Sequence, residues 1–159
     1  MAKNKATDNF EIVSRNRRAS HDYELLDRYE AGLALTGTEI KSVRQHKVSL
    51  QRSFVQPRHG ELWLMEANIA PYEQGNRENH EPKRPRKLLL HRREINKIID
   101  ALQTKGMTMV PTKMYIKDGW AKVEVALARG KKLYDKRQDI ARRDAERRIE
   151  RALREKYGR

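Results

Sequence analysis

The stretch MTMVPTKMYIKDGWAKVEVAL, from Met107 to Leu127, reads as two strands around a tight turn. Val123, Val125 and Leu127 alternate with polar residues, the period-two signature of a strand with one face buried. Lys117-Asp118-Gly119 supplies the turn, since Asp-Gly between apolar alternations is a strong short-range hairpin signal. Upstream, Tyr23, Leu25, Tyr29, Ala31, Leu33 and Leu35 alternate in the same way with an interruption at Asp27, giving one strand or two with a bend. Two more strands are expected around Ser49–Gln56 and Glu61–Ile69, joined through Pro57-Arg58-His59-Gly60.

Helical periodicity is confined to a few places. Ile95, Ile98, Ile99 and Leu102 stand at i, i+3, i+4 and i+7, which predicts a helix over Arg92–Lys105 with Gly106 as its C-cap. Thr38–Arg44 reads as a short helix with Thr38 as cap and Ile40 and Val43 turned inward. Pro71–Arg86 is polar and holds three prolines, so it reads as a long loop. The expected fold is mainly β: about six short strands with two or three helices. It is a small barrel, closed or partly open, of the oligonucleotide-binding type, although the pattern alone leaves a sandwich open. Residues 1–9 are polar and expected to be disordered, 10–129 form the barrel domain, and 130–159 form a tail.

Charge points to the partner. The chain of 159 residues has a net charge of +14. Its last 30 residues hold 12 Lys/Arg against 6 Asp/Glu, and the 24 basic and 16 acidic residues before them still leave +8. Both parts therefore favour a polyanion such as nucleic acid. The cations gather in three clusters: Arg15-Asn16-Arg17-Arg18, the run Pro82–Arg93 around Leu88-Leu89-Leu90, and Arg129–Arg137. Dense Lys/Arg with amides and aromatics nearby suits phosphate contact and base stacking. Glu30 lies off the apolar register of its strand, where a carboxylate facing RNA makes sense as an acceptor from base edges. Leu88, Leu89 and Leu90 cannot all point inward on one strand, which leaves one free to meet an unstacked base or all three in a fully buried strand.

The tail holds few sizeable apolar side chains, namely Leu133, Tyr134, Ile140, Ile149, Leu153 and Tyr157. Ordering costs roughly 1–2 kcal/mol per residue, which so little apolar surface cannot offset. Ala141, Ala145, Ile149, Ala152, Leu153 and Tyr157 nevertheless fall on one narrow helical stripe. Asp139/Arg143, Asp144/Arg148, Glu150/Arg154 and Glu155/Arg159 are acid-first pairs four apart, each worth about 0.2–0.5 kcal/mol to a helix. The tail reads as a segment that becomes helical on a negatively charged partner.

Signals for enzyme chemistry are weak. The five histidines show no metal-ligand spacing, and no phosphate-binding glycine loop or nucleophile elbow occurs. His21 beside Asp22, with Glu30 as an acid, is a pair that any chain of this size contains, so catalytic and metal residues are expected to be none, and no cofactor is expected. The chain has no cysteine, which removes disulfides and thiolate zinc sites. No apolar run approaches a membrane span and no secretory signal precedes the domain, so a cytoplasmic protein without a membrane partner is expected.

Residue by residue, the chain resembles the small protein B family. The resemblance rests on Asn16-Arg17-Arg18-Ala19, His21-Asp22-Tyr23, Tyr29-Glu30-Ala31-Gly32 and Gly37-Thr38-Glu39-Ile40-Lys41-Ser42. It continues through Gly60–Leu64, Asn68–Tyr72, Asn79–Pro82, Arg86-Lys87-Leu88-Leu89-Leu90-His91 and Lys122–Lys132, then Tyr134-Asp135-Lys136-Arg137. Departures are few. His46 stands where the family has a glycine, which puts the local turn in question, Gln51-Arg52 replaces a pair usually containing Asp, and Glu81 replaces Asp.

The resemblance implies an oligonucleotide-binding barrel with a tail that is disordered when free and helical on the ribosome. It implies binding to the tRNA-like domain of transfer-messenger RNA, delivery of that RNA to stalled 70S ribosomes for trans-translation, and no catalysis. Asn16, Glu30, Leu89 and Lys122 are implied RNA contacts, and Lys131 and Lys132 are RNA or ribosome contacts. Arg17, His21, Lys41, Arg86 and Lys87 complete the expected RNA-binding set. Asp135, Lys136 and Arg137 are implied in the decoding centre, with Tyr134, Arg142, Arg143 and Arg147 expected along the empty mRNA channel. A monomer bound one-to-one to the RNA is expected. A generic ribosomal or single-strand RNA binder is the alternative, and would bind unrelated RNAs about as well with a steep salt dependence.

Overall fold

The computed structural model describes residues 10–74, 79–131 and 133–157; the side chains of 133–136, 138, 139 and 157 lie outside the described set. The expected disorder of 1–9, the role given to Lys132 and the Glu155/Arg159 pair fall outside the described residues. So do the side-chain roles of Tyr134, Asp135 and Lys136, the Asp139/Arg143 pair, and the share of Leu133 and Tyr157 in the apolar residues.

Among the described residues, nine strands and four helices follow the order β1 (Phe10–Arg15), α1 (Ala19–Asp22), β2 (Tyr23–Leu33), α2 (Gly37–Arg44), β3 (Val48–Ser49), β4 (Phe54–Arg58), β5 (Glu61–Met65), β6 (Asn68–Ile69), β7 (Arg86–Leu89), α3 (Arg92–Leu102), β8 (Met107–Lys117), β9 (Trp120–Gly130), α4 (Leu133–Tyr157). Seven strands form one sheet in the order β1-β8-β9-β2-β7-β5-β4, and β3 pairs with β6. All recorded pairings are antiparallel. The sheet curls until β4, at one edge, packs against β8 near the other. The fold is thus the mainly β, barrel-like one expected, with more strands than the six anticipated. Strand β1 and helix α1 were not expected at all.

The long hairpin pairs Lys117 with Trp120, so its turn is only Asp118-Gly119. Both turn residues have positive φ, 51° and 83°. That is the two-residue geometry whose twist matches the flanking strands. His59-Gly60, with φ of 51° and 74°, makes the same turn between β4 and β5. The four-residue turn expected there is therefore two residues. Pro57 belongs to β4 opposite Leu62, on an edge strand where its missing N–H costs no ladder bond. The interruption at Asp27 is a shift of register between Leu25 and Arg28, which keeps β2 a single strand.

Helix α2 is capped by Thr36, not Thr38. The Thr36 hydroxyl accepts from the Glu39 N–H, and the Glu39 carboxylate accepts from the Thr36 N–H, a reciprocal capping box. Val43 is fully buried beneath it and Ile40 partly so. Helix α3 ends at Leu102, earlier than the expected Lys105. Gly106 is not its cap. With φ of 82°, Gly106 turns the chain into β8 after a tight Thr104–Met107 turn. Ile95 and Ile98 bury against the core formed with Leu62, Leu64, Leu88, Met109, Val123 and Val125. Across the loop after β6, His80 joins the Thr38 hydroxyl at 2.9 Å to the Ile69 carbonyl at 2.8 Å, pinning it to α2 and β6.

Candidate nucleic-acid interface

The outer face of the sheet gathers much of the expected set. On β2, Glu30 lies opposite Glu124 of β9, and Gly32 lies between Lys122 of β9 and Leu89 of β7. Glu30, Lys87, Leu89 and Lys122 line one cleft of about 600 Å³. Leu89 resolves the triple-leucine question by alternation: Leu88 is fully buried and Leu89 is 51% exposed. Gly32 makes room for it, because a Cβ there would lie 3.2 Å from the Leu89 Cβ. Near the cleft's mouth Arg92 donates to Glu61 at 2.5 Å and to the Gly60 carbonyl at 2.6 Å.

Glu30 faces outward, as expected, but one of its oxygens is already engaged. The Tyr115 hydroxyl donates to Oε2, and the Lys117 ammonium lies 3.6 Å from the same atom. The Tyr115 hydrogen bond is the largest influence on the Glu30 carboxyl, and with Lys117 and Lys122 it holds the group below the usual carboxylate range despite partial burial. The Tyr115 phenol is pushed up, by burial first and then by this bond. Phe10 packs against Tyr115 in a tilted pair with ring centroids 4.7 Å apart, and Lys113 lies 5.9 Å from both ring centres. Phe10, Lys113 and Tyr115 were not singled out in the sequence. Their joint position follows from β1–β8 pairing, and no local pattern encodes it.

A second group lies around the end of β1. The Asn16 amide donates to the Pro111 carbonyl at 2.9 Å and its backbone N–H to Thr112 at 2.7 Å. These bonds tie the loop to β8 at its bulge and leave Asn16 on the wall of a cleft of about 500 Å³ with Arg18, Gln51 and Arg52. Arg17 is exposed. His21 Nδ1 is 2.9 Å from Asp22 Oδ1, on α1. Lys131 docks there too, its ammonium donating to the Ser20 carbonyl at 2.8 Å and its N–H to Asp22 at 3.0 Å. Lys41, on α2, sits elsewhere, 5.4 Å from the centre of the Tyr72 ring.

Arg86 requires a correction. It is fully buried and faces no nucleic acid. Its Nε donates to Glu39 Oε2 at 2.5 Å, and its two terminal nitrogens donate to the Ala67 carbonyl at 2.7 Å and the Pro82 carbonyl at 3.0 Å. Arg84 reaches the other Glu39 oxygen at 2.5 Å. Burial alone would raise the Glu39 carboxyl, but Arg84, the Thr36 N–H and Arg86 outweigh it and hold the group low. Arg86 fastens β7 to α2, to the β5–β6 connection and to the loop preceding β7, because a buried guanidinium must find an acceptor in each direction.

The chain from Leu133 to Tyr157 is one helix, α4, which approaches the barrel at α1. Its described side chains, Arg137, Arg142, Arg143 and Arg147 among them, are exposed, as are Ile149 and Leu153 at 59% and 51%. The stripe of small apolar residues is therefore uncovered.

Comparison with known proteins agrees with this architecture. The family described as SmpB protein matches residues 13–155. The SsrA-binding protein of Carboxydothermus hydrogenoformans is 57% identical over 146 residues, covering 92% of this chain and 98% of that protein. That of Ligilactobacillus salivarius is 54% identical over 158 residues, covering 99% of this chain and 100% of its own length. A chain from the solved structure "tmRNA-SmpB: a journey to the center of the bacterial ribosome" superposes with a TM-score of 0.64 at 52% identity, over 75% of this chain and 84% of that one. With nearly all of the barrel and tail helix inside the matched span, the chain belongs to the SmpB family.

Proposed function

We propose that the chain binds the tRNA-like domain of transfer-messenger RNA and carries it to stalled ribosomes for trans-translation. The observation that carries this reading is identity above 50% along nearly the whole length of SsrA-binding proteins, tail included. The structure of the chain is consistent with two partners for two parts. The barrel, 10–129, offers the Glu30–Lys87–Leu89–Lys122 cleft and, around the corner, Asn16, Arg17 and His21. Lys41 lies apart from both. The tail, 130–159, offers the cationic helix α4, whose described side chains are exposed. Lys131, held to α1 by its bonds to the Ser20 and Asp22 carbonyls, stands at the junction of the two parts.

In this reading Asn16, Arg17, His21, Glu30, Lys41, Lys87, Leu89 and Lys122 meet the transfer-messenger RNA. Asp135, Lys136 and Arg137 enter the decoding centre, with Tyr134, Arg142, Arg143 and Arg147 along ribosomal RNA in the empty mRNA channel. The free tail exchanges between helix and coil, since its uncovered apolar stripe adds little to propensity and i,i+4 pairs. The protein acts in the cytoplasm as a monomer, one per RNA, and performs no chemistry of its own.

Two measurements test the proposal. Binding to transfer-messenger RNA should exceed binding to ordinary tRNA at matched salt, and equal affinity would favour a generic RNA binder. Deleting 130–159 should spare most of that binding yet abolish tagging in a purified translation system. Tagging that survives the deletion would remove the role of the tail.

A further inference from the structure

We propose that the cleft between Leu89 and Trp120 is a stacking site for one unpaired RNA base; this rests on the reading above that RNA is the partner. Trp120 is 73% exposed, and Leu89 is 51% exposed. Leaving both in water forgoes the burial that large apolar side chains normally find. Trp120 is not adrift. It is the first residue after the Asp118-Gly119 turn, paired with Lys117, so the hairpin fixes where its ring is carried. Leu89 is fixed in turn by its pairing with Gly32, whose bare backbone it lies against.

Both line a cleft of about 570 Å³ floored by Leu33, Leu35 and Ile40, with Arg44 and Lys122 at its sides. Neither cation is within salt-bridge distance of an acid among the described residues, and Asp118 is the one acid lining the cleft. Apolar walls with a tryptophan face take a flat ring, and two cations beside them that form no salt bridge among the described residues take a phosphate. That combination is the chemistry of single-strand RNA recognition, where a base stacks while its backbone is neutralised. An aliphatic peptide would use the walls but leave the cations unmatched in a chain of charge +14. This cleft adjoins the one holding Glu30 and shares Leu89 and Lys122 with it. The base it takes is therefore next to a nucleotide held there.

The test uses the full chain. Trp63 is the only other tryptophan, and Trp63→Phe leaves Trp120 as the sole reporter. Titrating full-length transfer-messenger RNA should change the Trp120 emission saturably. Trp120→Ala should weaken binding between about 5-fold and 150-fold, Trp120→Phe should keep affinity within about 3-fold, and neither should alter the salt slope. Arg44→Gln should lower that slope by about one. The melting temperature of Trp120→Ala should match the parent, since the ring is exposed. If the RNA binds with unchanged emission and Trp120→Ala binds as tightly as the parent, the stacking site is wrong while the RNA reading stands. Emission that changes only on adding ribosomes free of transfer-messenger RNA would also overturn it, in favour of a ribosomal contact. If transfer-messenger RNA does not bind at all, both readings fall.

Discussion

Replacing Arg86 by Met keeps the side chain's bulk and removes its charge, and the structure sets the consequence. Arg86 and Glu39 are both fully buried, so the variant leaves a carboxylate in the interior with Arg84, 36% exposed, as its remaining cation. It also removes the Arg86 donor to the Ala67 carbonyl and one of two donors to the Pro82 carbonyl, which keeps the Ile69 N–H. Breaking a buried pair from one side costs about 3–5 kcal/mol. At roughly 2–4 °C per kcal/mol for a chain of this size, the melting temperature should fall by about 6–20 °C. Thermal unfolding followed by circular dichroism reads this directly. The double variant Glu39→Gln with Arg86→Met should regain a substantial part of the loss, because no buried charge is left unpaired. RNA binding measured well below the transition should stay within a few-fold of the parent. A variant that melts within about 2 °C of the parent yet loses tenfold in RNA affinity would refute the structural role and return Arg86 to the interface.

The same network has a pH signature. The folded-state Glu39 carboxyl is held low, so its contribution is complete above the unfolded value of about 4.3 and is lost as pH falls through the folded value. The acid-side drop in melting temperature should therefore be shallower in Glu39→Gln. Tyr115→Phe removes the bond that most lowers the Glu30 carboxyl, and NMR titration should find that group raised toward its ordinary value. Trp63→Phe should not destabilise the fold, because the indole N–H is buried without a partner and its removal leaves no group unsatisfied. Ala145→Pro, at an exposed position inside α4, should cost the helix about 3 kcal/mol and abolish tagging while leaving transfer-messenger RNA binding intact, checked by the same two assays used for the tail deletion.

What the sequence disclosed and what it hid follow from range. The β8–β9 hairpin is written in adjacent residues, Asp118-Gly119 and the Val123/Val125/Leu127 alternation, and it was legible almost to the residue. Alternation also decided the fate of Leu89 once β7 was known to be a strand. Arg86 was misread because its neighbours are cations, while the acid that claims it lies 47 residues away in sequence. No single-sequence signal spans that distance. Strand β1 was missed because its residues take their role from β8, far downstream. His46 shows the converse. The glycine that the resemblance leads one to expect there would signal a left-handed backbone, and His46 does adopt φ of 60°, a conformation histidine tolerates better than most residues, with its ring against Glu11. The histidine thus makes the turn a glycine was expected to make.

The order of the sheet bears on how the chain comes into being. β1 has β8 as its one neighbour, and β2 lies between β9 and β7, so the first two strands are completed only by strands made later. A growing chain that has reached α3 can pair β4, β5 and β7 and add β2 to them, but β1 and the other edge of β2 still lack partners. Until Gly130 has emerged to meet Tyr23, much of the future core stays open to water and to other chains. The barrel can therefore close only once β9 is available. A message truncated before β9 would yield a fragment with unpaired strand edges, itself a ready substrate for degradation.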